Sequence, residues 1–227
     1  MHKLNLRNAI LLPLLAISIL MPAVARSKTL GQLLDQASSA RIYRHISPGE
    51  MLQVEYLFLR LFQGERSIQL RQEWLSLGYH MQLVNDRGSD FLVLYESEEQ
   101  RTGRGLYAFR QSLPQPIALQ APHSFQEYHT RQIVLDMMLE ASVAAAAWNT
   151  VPRLIKQYGA TINAELSLQE YSFFKAFSRA FAIHYANGRV LQIHGFAQQK
   201  RTPQAGATAN MIIIDFQEMF RETFMPL

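Results

Sequence analysis

The chain contains no cysteine. That excludes disulfides, thiol catalysis and a lipid-anchored mature terminus, and it leaves stability to an ordinary apolar core. Signatures of the commoner hydrolases are missing too. There is no Gly-x-Ser-x-Gly elbow, which counts against an α/β-hydrolase, and no His-Glu-x-x-His zincin helix. The string Gly103-Arg104-Gly105-Leu106-Tyr107-Ala108 leads into a strand instead of following one, so it lacks the context of a dinucleotide-binding loop. Lysines and arginines are scattered among acids, with no basic stripe interleaved with aromatics, so nucleic acid is not an expected partner. Only one long apolar run occurs, near the start.

That run reads as a secretory signal peptide over residues 1–25. His2, Lys3 and Arg7 precede the apolar Ala9–Leu20, and Ala23-Val24-Ala25 is a small-x-small cleavage site. The rival reading, a retained anchor, meets two obstacles. The run falls short of the ~20 residues a spanning helix needs, and Pro13 interrupts it. Loss of Lys3 and Arg7 would lower the formal charge of +4 by two. A secreted, cysteine-free chain suits the bacterial periplasm, where disulfides are allowed but not required. No integral membrane segment is expected after cleavage.

The remainder is long enough for one compact unit with two textures. Residues 26–112 read as a small α+β region. Ser47-Pro48-Gly49-Glu50 forms a capping box, and the stripe Met51, Val54, Leu57, Phe58, Leu61 predicts a helix ending at Gly64. A second helix over Ser67–Leu77 offers Ile68, Leu70, Trp74 and Leu77 to the core. A hairpin is expected around Asn85-Asp86-Arg87-Gly88 and a third strand over Leu106–Arg110. Residues 113–227 alternate strands and helices: Ile117–Gln120, a helix capped by Thr130, Ala144–Trp148, a helix opened by the box Ser167-Leu168-Gln169-Glu170, Val190–Ile193 and Met211–Ile214. The predicted class is α/β, a mostly parallel mixed sheet with helices on both faces, preceded by the small α+β region.

Polar, metal-capable residues sit where three apolar runs end. Pro122-His123-Ser124-Phe125-Gln126-Glu127-Tyr128-His129-Thr130 follows one, Asn149-Thr150-Val151-Pro152-Arg153 a second, and His194-Gly195-Phe196 a third. Were these runs parallel strands, all three loops would meet at their C-terminal edge, where open α/β sheets keep their ligand sites. His123 and Glu127 from one loop and His194 from another strand then make three metal ligands, an arrangement that leaves zinc an open position for water. Each residue also has a plainer reading: His123 and His129 as loop histidines bonding backbone, His194 as a core histidine, Arg153 as a surface cation. Arg153 is otherwise a clamp for a substrate carboxylate. Asn149, Thr150 and His129 could orient a ligand. Asp215 ends the last strand and serves either as acid or base, or as the cap of a helix over residues 217–224.

Those three motifs together resemble the zinc-dependent amidohydrolase and exopeptidase superfamily, closest to N-formylglutamate amidohydrolases and poly-γ-glutamate hydrolases. The resemblance covers roughly residues 105–200. It implies zinc held by His123, Glu127 and His194, Arg153 on a substrate carboxylate, and hydrolysis of an amide bond in a small acidic or peptide-like substrate. The pattern departs from the family at three points. The carboxylate stands four residues after His123, where the peptidase form places it three after, at Gln126. Pro152 occupies a position expected to be polar. No carboxylate matches the general base of a late strand, Glu218 and Glu222 falling on a terminal helix. A non-catalytic envelope protein that binds a peptide or cell-wall fragment on the same scaffold is therefore the alternative.

Overall fold

The computed structural model describes residues 28–38, 42–127, 129–195 and 211–215, the last segment by its backbone. The expected signal peptide, the loop after His194 and the helix over residues 217–224 lie outside the described residues.

The helix expected after Ser47 forms where its cap predicts, and a further helix precedes it. Thr29 and Ser47 each close a capping box, opening α1 (Leu30–Ala37) and α2 (Pro48–Phe62). All five residues of the predicted stripe on α2 are buried. Ser67 caps α3 (Ile68–Ser76), which buries Leu70 and Trp74 but leaves Ile68 exposed. Ile68 is the first residue of the helix, so it lies beyond the face that meets the sheet. Strands β1 (Tyr79–Asp86) and β2 (Ser89–Glu96) form a hairpin whose turn residues, Arg87 and Gly88, both have positive φ. That is the backbone a two-residue hairpin turn requires.

Strand β3 (Leu106–Arg110) is followed by β4 (Gln115–Ala121), α4 (Thr130–Glu140), β5 (Val143–Trp148), a small hairpin of β6 (Leu154–Gln157) and β7 (Ala160–Asn163), α5 (Phe173–His184), β8 (Arg189–Gly195) and β9 (Met211–Asp215). Seven strands form one sheet in the order β1-β2-β3-β5-β4-β8-β9. The α/β class and the mixed sheet stand. Parallel pairing, however, is confined to the centre, where β4 lies between β5 and β8, and every other pair is antiparallel. The reason is local: β1, β2 and β3 return on one another and β3 then joins β5 directly, so the amino-terminal region extends the sheet instead of preceding it.

Two apolar layers cover the sheet. On one face α2, α3 and α5 pack over the strands, with Phe58, Trp74, Tyr107, Phe177 and Phe181 in a single buried cluster. On the other, α1 and α4 pack over Leu119, Ala146 and Trp148. The alanines of β5 divide between the faces, Ala145 and Ala147 to the aromatic side and Ala146 to the other. Small residues on the central strand leave room for the ring layer above, where Phe58 and Phe177 meet edge to face at 5.5 Å. Among the described residues, no helix is long and apolar enough to cross a membrane.

The Gly103-Arg104-Gly105 string has a structural role. The carboxylate of Glu96, 2 % exposed, accepts hydrogen bonds from the backbone N–H groups of Thr102, Gly103 and Arg104, from the Thr102 hydroxyl, and from Arg104 Nε at 2.9 Å. The Arg104 guanidinium also donates to Leu77 O and lies over the rings of Tyr79 and Phe173. Gly103, with φ at 72°, turns its N–H into this cradle, and a Cβ there would press on Val151. The string thus wraps a carboxylate of the protein's own chain through Gly103 and Arg104, while Gly105 N donates to the Thr150 hydroxyl.

Candidate metal centre

The three central parallel strands end side by side. Ala121 of β4 pairs with Trp148 of β5, and Gln120 of β4 with Gln192 of β8. Their following loops therefore share one edge, as the sequence predicts. After β4 the chain makes a tight turn in which Gln126 N and Glu127 N both donate to His123 O at 3.1 Å. This single turn brings the side chains of His123 and Glu127 to the same side. Thr130, expected as the cap of α4, is instead its first residue, and its hydroxyl donates to Glu127 O. The cap position belongs to His129, which has a left-handed backbone with φ at 64°.

His123, Glu127 and His194 converge, with potential ligand atoms all within 4.8 Å of one another. Glu127 Oε2 accepts from the backbone N–H of Gly195 at 2.7 Å. Glu127 Oε1 lies 3.9 Å from His123 Nε2 and 3.4 Å from His194 Nδ1. Four ligands at zinc–nitrogen and zinc–oxygen distances sit about 3.4 Å apart around a tetrahedral ion, so the group would have to contract by up to about 1.4 Å from its 4.8 Å spread. The donor set of two imidazoles and one carboxylate suits zinc and other divalent transition metals. The His rings lie 5.0 Å apart between centroids and tilt at 54°, which keeps them from stacking on each other.

A fourth residue, Glu165, completes the centre and was not singled out from the sequence. It is 1 % exposed. Its Oε2 lies 3.2 Å from His123 Nδ1 and 3.1 Å from Arg153 Nε, within ion-pair reach of both, though neither contact has hydrogen-bond alignment. Its Oε1 accepts from the Ser167 hydroxyl at 2.7 Å. His123 therefore turns Nδ1 to a buried carboxylate and Nε2 toward Glu127, the arrangement by which an outer carboxylate orients a metal-binding histidine. Burial holds the His123 pKa below the usual 6.5; Glu165 and Glu127 pull it upward, while His194 and Arg153 push the same way as burial. The neutral ring is the form that binds a metal.

The remaining expected residues fall in different places. Arg153 is at the site, half exposed, with Nε spent on Glu165. Asn149 is 1 % exposed, and its amide donates to Pro122 O and accepts from Val151 N. Both ends of the amide are thus engaged, and the bond to Pro122 O ties β5 to the turn that carries His123. Thr150 is likewise buried, accepting from Gly105 N. His129 is exposed at the start of α4 and is not one of the three convergent residues. Asp215 ends β9, but β9 runs antiparallel to β8: Met211 lies across from Gly195, and Asp215 across from Leu191. Its backbone is thus four residues, roughly 13 Å, from the strand end that carries the site. This register lends no support to an acid or base role there.

The box expected at Ser167 does not open α5. Ser172 caps that helix, bonding Lys175 N, while Ser167 faces Glu165. Glu165 was hidden because the hairpin that delivers it carries no clear alternation of buried and exposed residues. Comparison with protein-family models, with curated proteins and with solved structures finds no match to this chain.

Proposed function

We propose that this protein is a metal-dependent hydrolase, acting in the periplasm on an amide bond of a small acidic or peptide-like substrate. The observation that carries the reading is the convergence of His123 Nε2 and His194 Nδ1 on one oxygen of Glu127, at the edge where parallel strands end. Zinc is the metal this donor set favours. When bound, it supplies Lewis acidity and a water acidic enough to act near neutral pH.

The chain's own residues do the rest. His123, Glu127 and His194 hold the ion. Glu165 keeps His123 turned toward it and neutralises the inner side of Arg153. Among the described residues Arg153 engages only through Nε, so its two terminal nitrogens are available to a substrate carboxylate as a planar pair of donors. Selectivity for an acidic substrate follows from that guanidinium.

A second reading, a binding protein without turnover, has one observation in its favour. The one further carboxylate that joins the cluster among the described residues is Glu165, and it is committed to His123 and Arg153. The deciding experiment is elemental analysis of untagged protein beside a His123→Ala/His194→Ala variant, followed by a screen of N-acyl amino acids and γ-glutamyl peptides. Stoichiometric zinc, lost in a folded variant, together with hydrolysis supports the enzyme. Zinc without hydrolysis supports the binding protein. Absence of zinc from protein to which it has been offered ends the hydrolase reading and leaves a binding or structural domain.

A further inference from the structure

Two glutamines sit in the middle of otherwise apolar strands. Gln120 on β4 and Gln192 on β8 are register partners across the parallel pair, 1 % and 7 % exposed. A buried amide is costly unless both its ends are satisfied. These two are, and the way they are satisfied has a direction.

The direction begins at a helix carbonyl. Phe174 O on α5 can only accept, and the Ser178 hydroxyl gives it its single hydrogen at 3.0 Å. Ser178 Oγ therefore accepts from Gln120 Nε2, at 2.7 Å. That turns Gln120 Oε1 outward to accept from Gln192 Nε2 at 2.8 Å. Gln192 Oε1 is left facing His194 Nε2 at 3.1 Å. An amide oxygen cannot donate, so this contact calls for the hydrogen on Nε2 of His194, and with a metal between Nδ1 and the equally acceptor-only Glu127 carboxylate the lone pair of the neutral ring lies on Nδ1. Nδ1 is the atom that faces Glu127.

We infer that Ser178, Gln120 and Gln192 are positioning residues, a one-way relay of hydrogen-bond polarity that holds His194 in its Nε2–H tautomer and makes Nδ1 its metal-ligating atom. The inference rests on the metal centre proposed above and adds to it the residues that set one ligand. A pair of glutamines serving only to satisfy each other would not need the third link to His194. The two histidines are thus fixed in opposite senses, His123 offering Nε2 under the influence of Glu165 and His194 offering Nδ1 under that of Gln192.

The test reads the tautomer directly, through long-range ¹H–¹⁵N correlations of the full chain saturated with diamagnetic zinc, at a pH about two units above the usual imidazole value. His194→Gln assigns the signal. The wild type should show Nε2–H. Gln192→Leu should show mixed tautomers and bind zinc about 10- to 100-fold more weakly, the range for loss of an outer-shell partner. Gln192→Glu keeps an acceptor opposite Nε2 and should restore the tautomer, at the cost in stability of the donor that Gln120 Oε1 loses. Ser178→Ala alters only a hydroxyl on α5, and it should shift tautomer and affinity in the same direction, so the relay stays testable if β8 tolerates no change. An Nδ1–H tautomer in the wild type, or wild-type zinc affinity in folded Gln192→Leu, overturns the inference. No turnover is read here. A protein with the Nε2–H tautomer and bound zinc but no amidase activity loses the hydrolase reading alone, and an active enzyme with the Nδ1–H tautomer loses the relay alone.

Discussion

The backbone N–H of Gly195 donates to Glu127 at 2.7 Å, and this bond joins the turn after β4 to the end of β8. It pins Oε2, while Oε1 faces His123 Nε2, and His194 Nδ1 lies 3.4 Å from both oxygens. A carboxylate fixed in this way binds a metal through one oxygen, with little rotamer freedom left to lose.

Glu127→Gln tests that arrangement. The amide is isosteric, but it is neutral, and it replaces one carboxylate oxygen with an NH2 group that can neither accept from Gly195 nor ligate a metal. Zinc affinity should fall by about 100-fold or more, at least the upper range for outer-shell losses. Competition with a chromophoric chelator measures it, and unchanged affinity would remove Glu127 from the ligand set.

Glu165→Gln should act through His123. The buried charge beside Nδ1 disappears while the packing stays, so zinc should bind about 10- to 100-fold more weakly. Stability should change by only about 1 kcal/mol, because Arg153 is half exposed and is not left stranded in the interior. Urea melts alongside the zinc titration separate the two effects. A large loss of stability with normal affinity would make Glu165 purely structural.

Glu96 and Arg104 give the opposite pattern. Both are buried, and five donors converge on the carboxylate. Glu96→Ala leaves Arg104 charged and unpaired, which should cost about 3–5 kcal/mol. Zinc affinity per folded molecule should be unaltered, as measured at low temperature or in a stabilising osmolyte.

Acid should weaken the metal-free fold. Burial depresses the pKa of His123, and of His184 as well. Below the usual value of 6.5 the unfolded chain therefore binds protons that the folded chain refuses. The stabilisation is complete above 6.5 and declines as the pH drops through it toward the folded-state values. Melting temperatures of metal-free protein should fall across that window, and more gently in His123→Gln. An equal slope in the two would show that His123 contributes nothing to it.

The sequence made some of this legible for definite reasons. Capping boxes and a helical stripe are local signals, so the helix at Pro48–Phe62 needed nothing from the rest of the chain. His123, Glu127 and His194 could be read because each follows the end of an apolar run, and parallel strands gather their ends. Arg153 followed from the same logic. Glu165 did not, because it reaches the site through a hairpin whose exposed faces erase the strand pattern. Gln120 and Gln192 were read as parts of apolar strands; a polar residue surrounded by apolar neighbours was the available sign. Ser167 and Ser172 both lie upstream of the same helix; Ser167 turns its hydroxyl back to Glu165, two residues earlier, and Ser172 takes the cap by accepting from Lys175 N. Asp215 depended on strand direction, which no local pattern specifies.

The β6–β7 hairpin stands between Arg153 and Glu165, and Ala164 N donates to Arg153 O at 2.7 Å to close its base. Its tip, Tyr158 and Gly159, projects into solvent. Two residues of the centre are thus delivered from the foot of an arm whose outer part they do not depend on. Changes of length or composition at that exposed tip should therefore leave Arg153 and Glu165 in place.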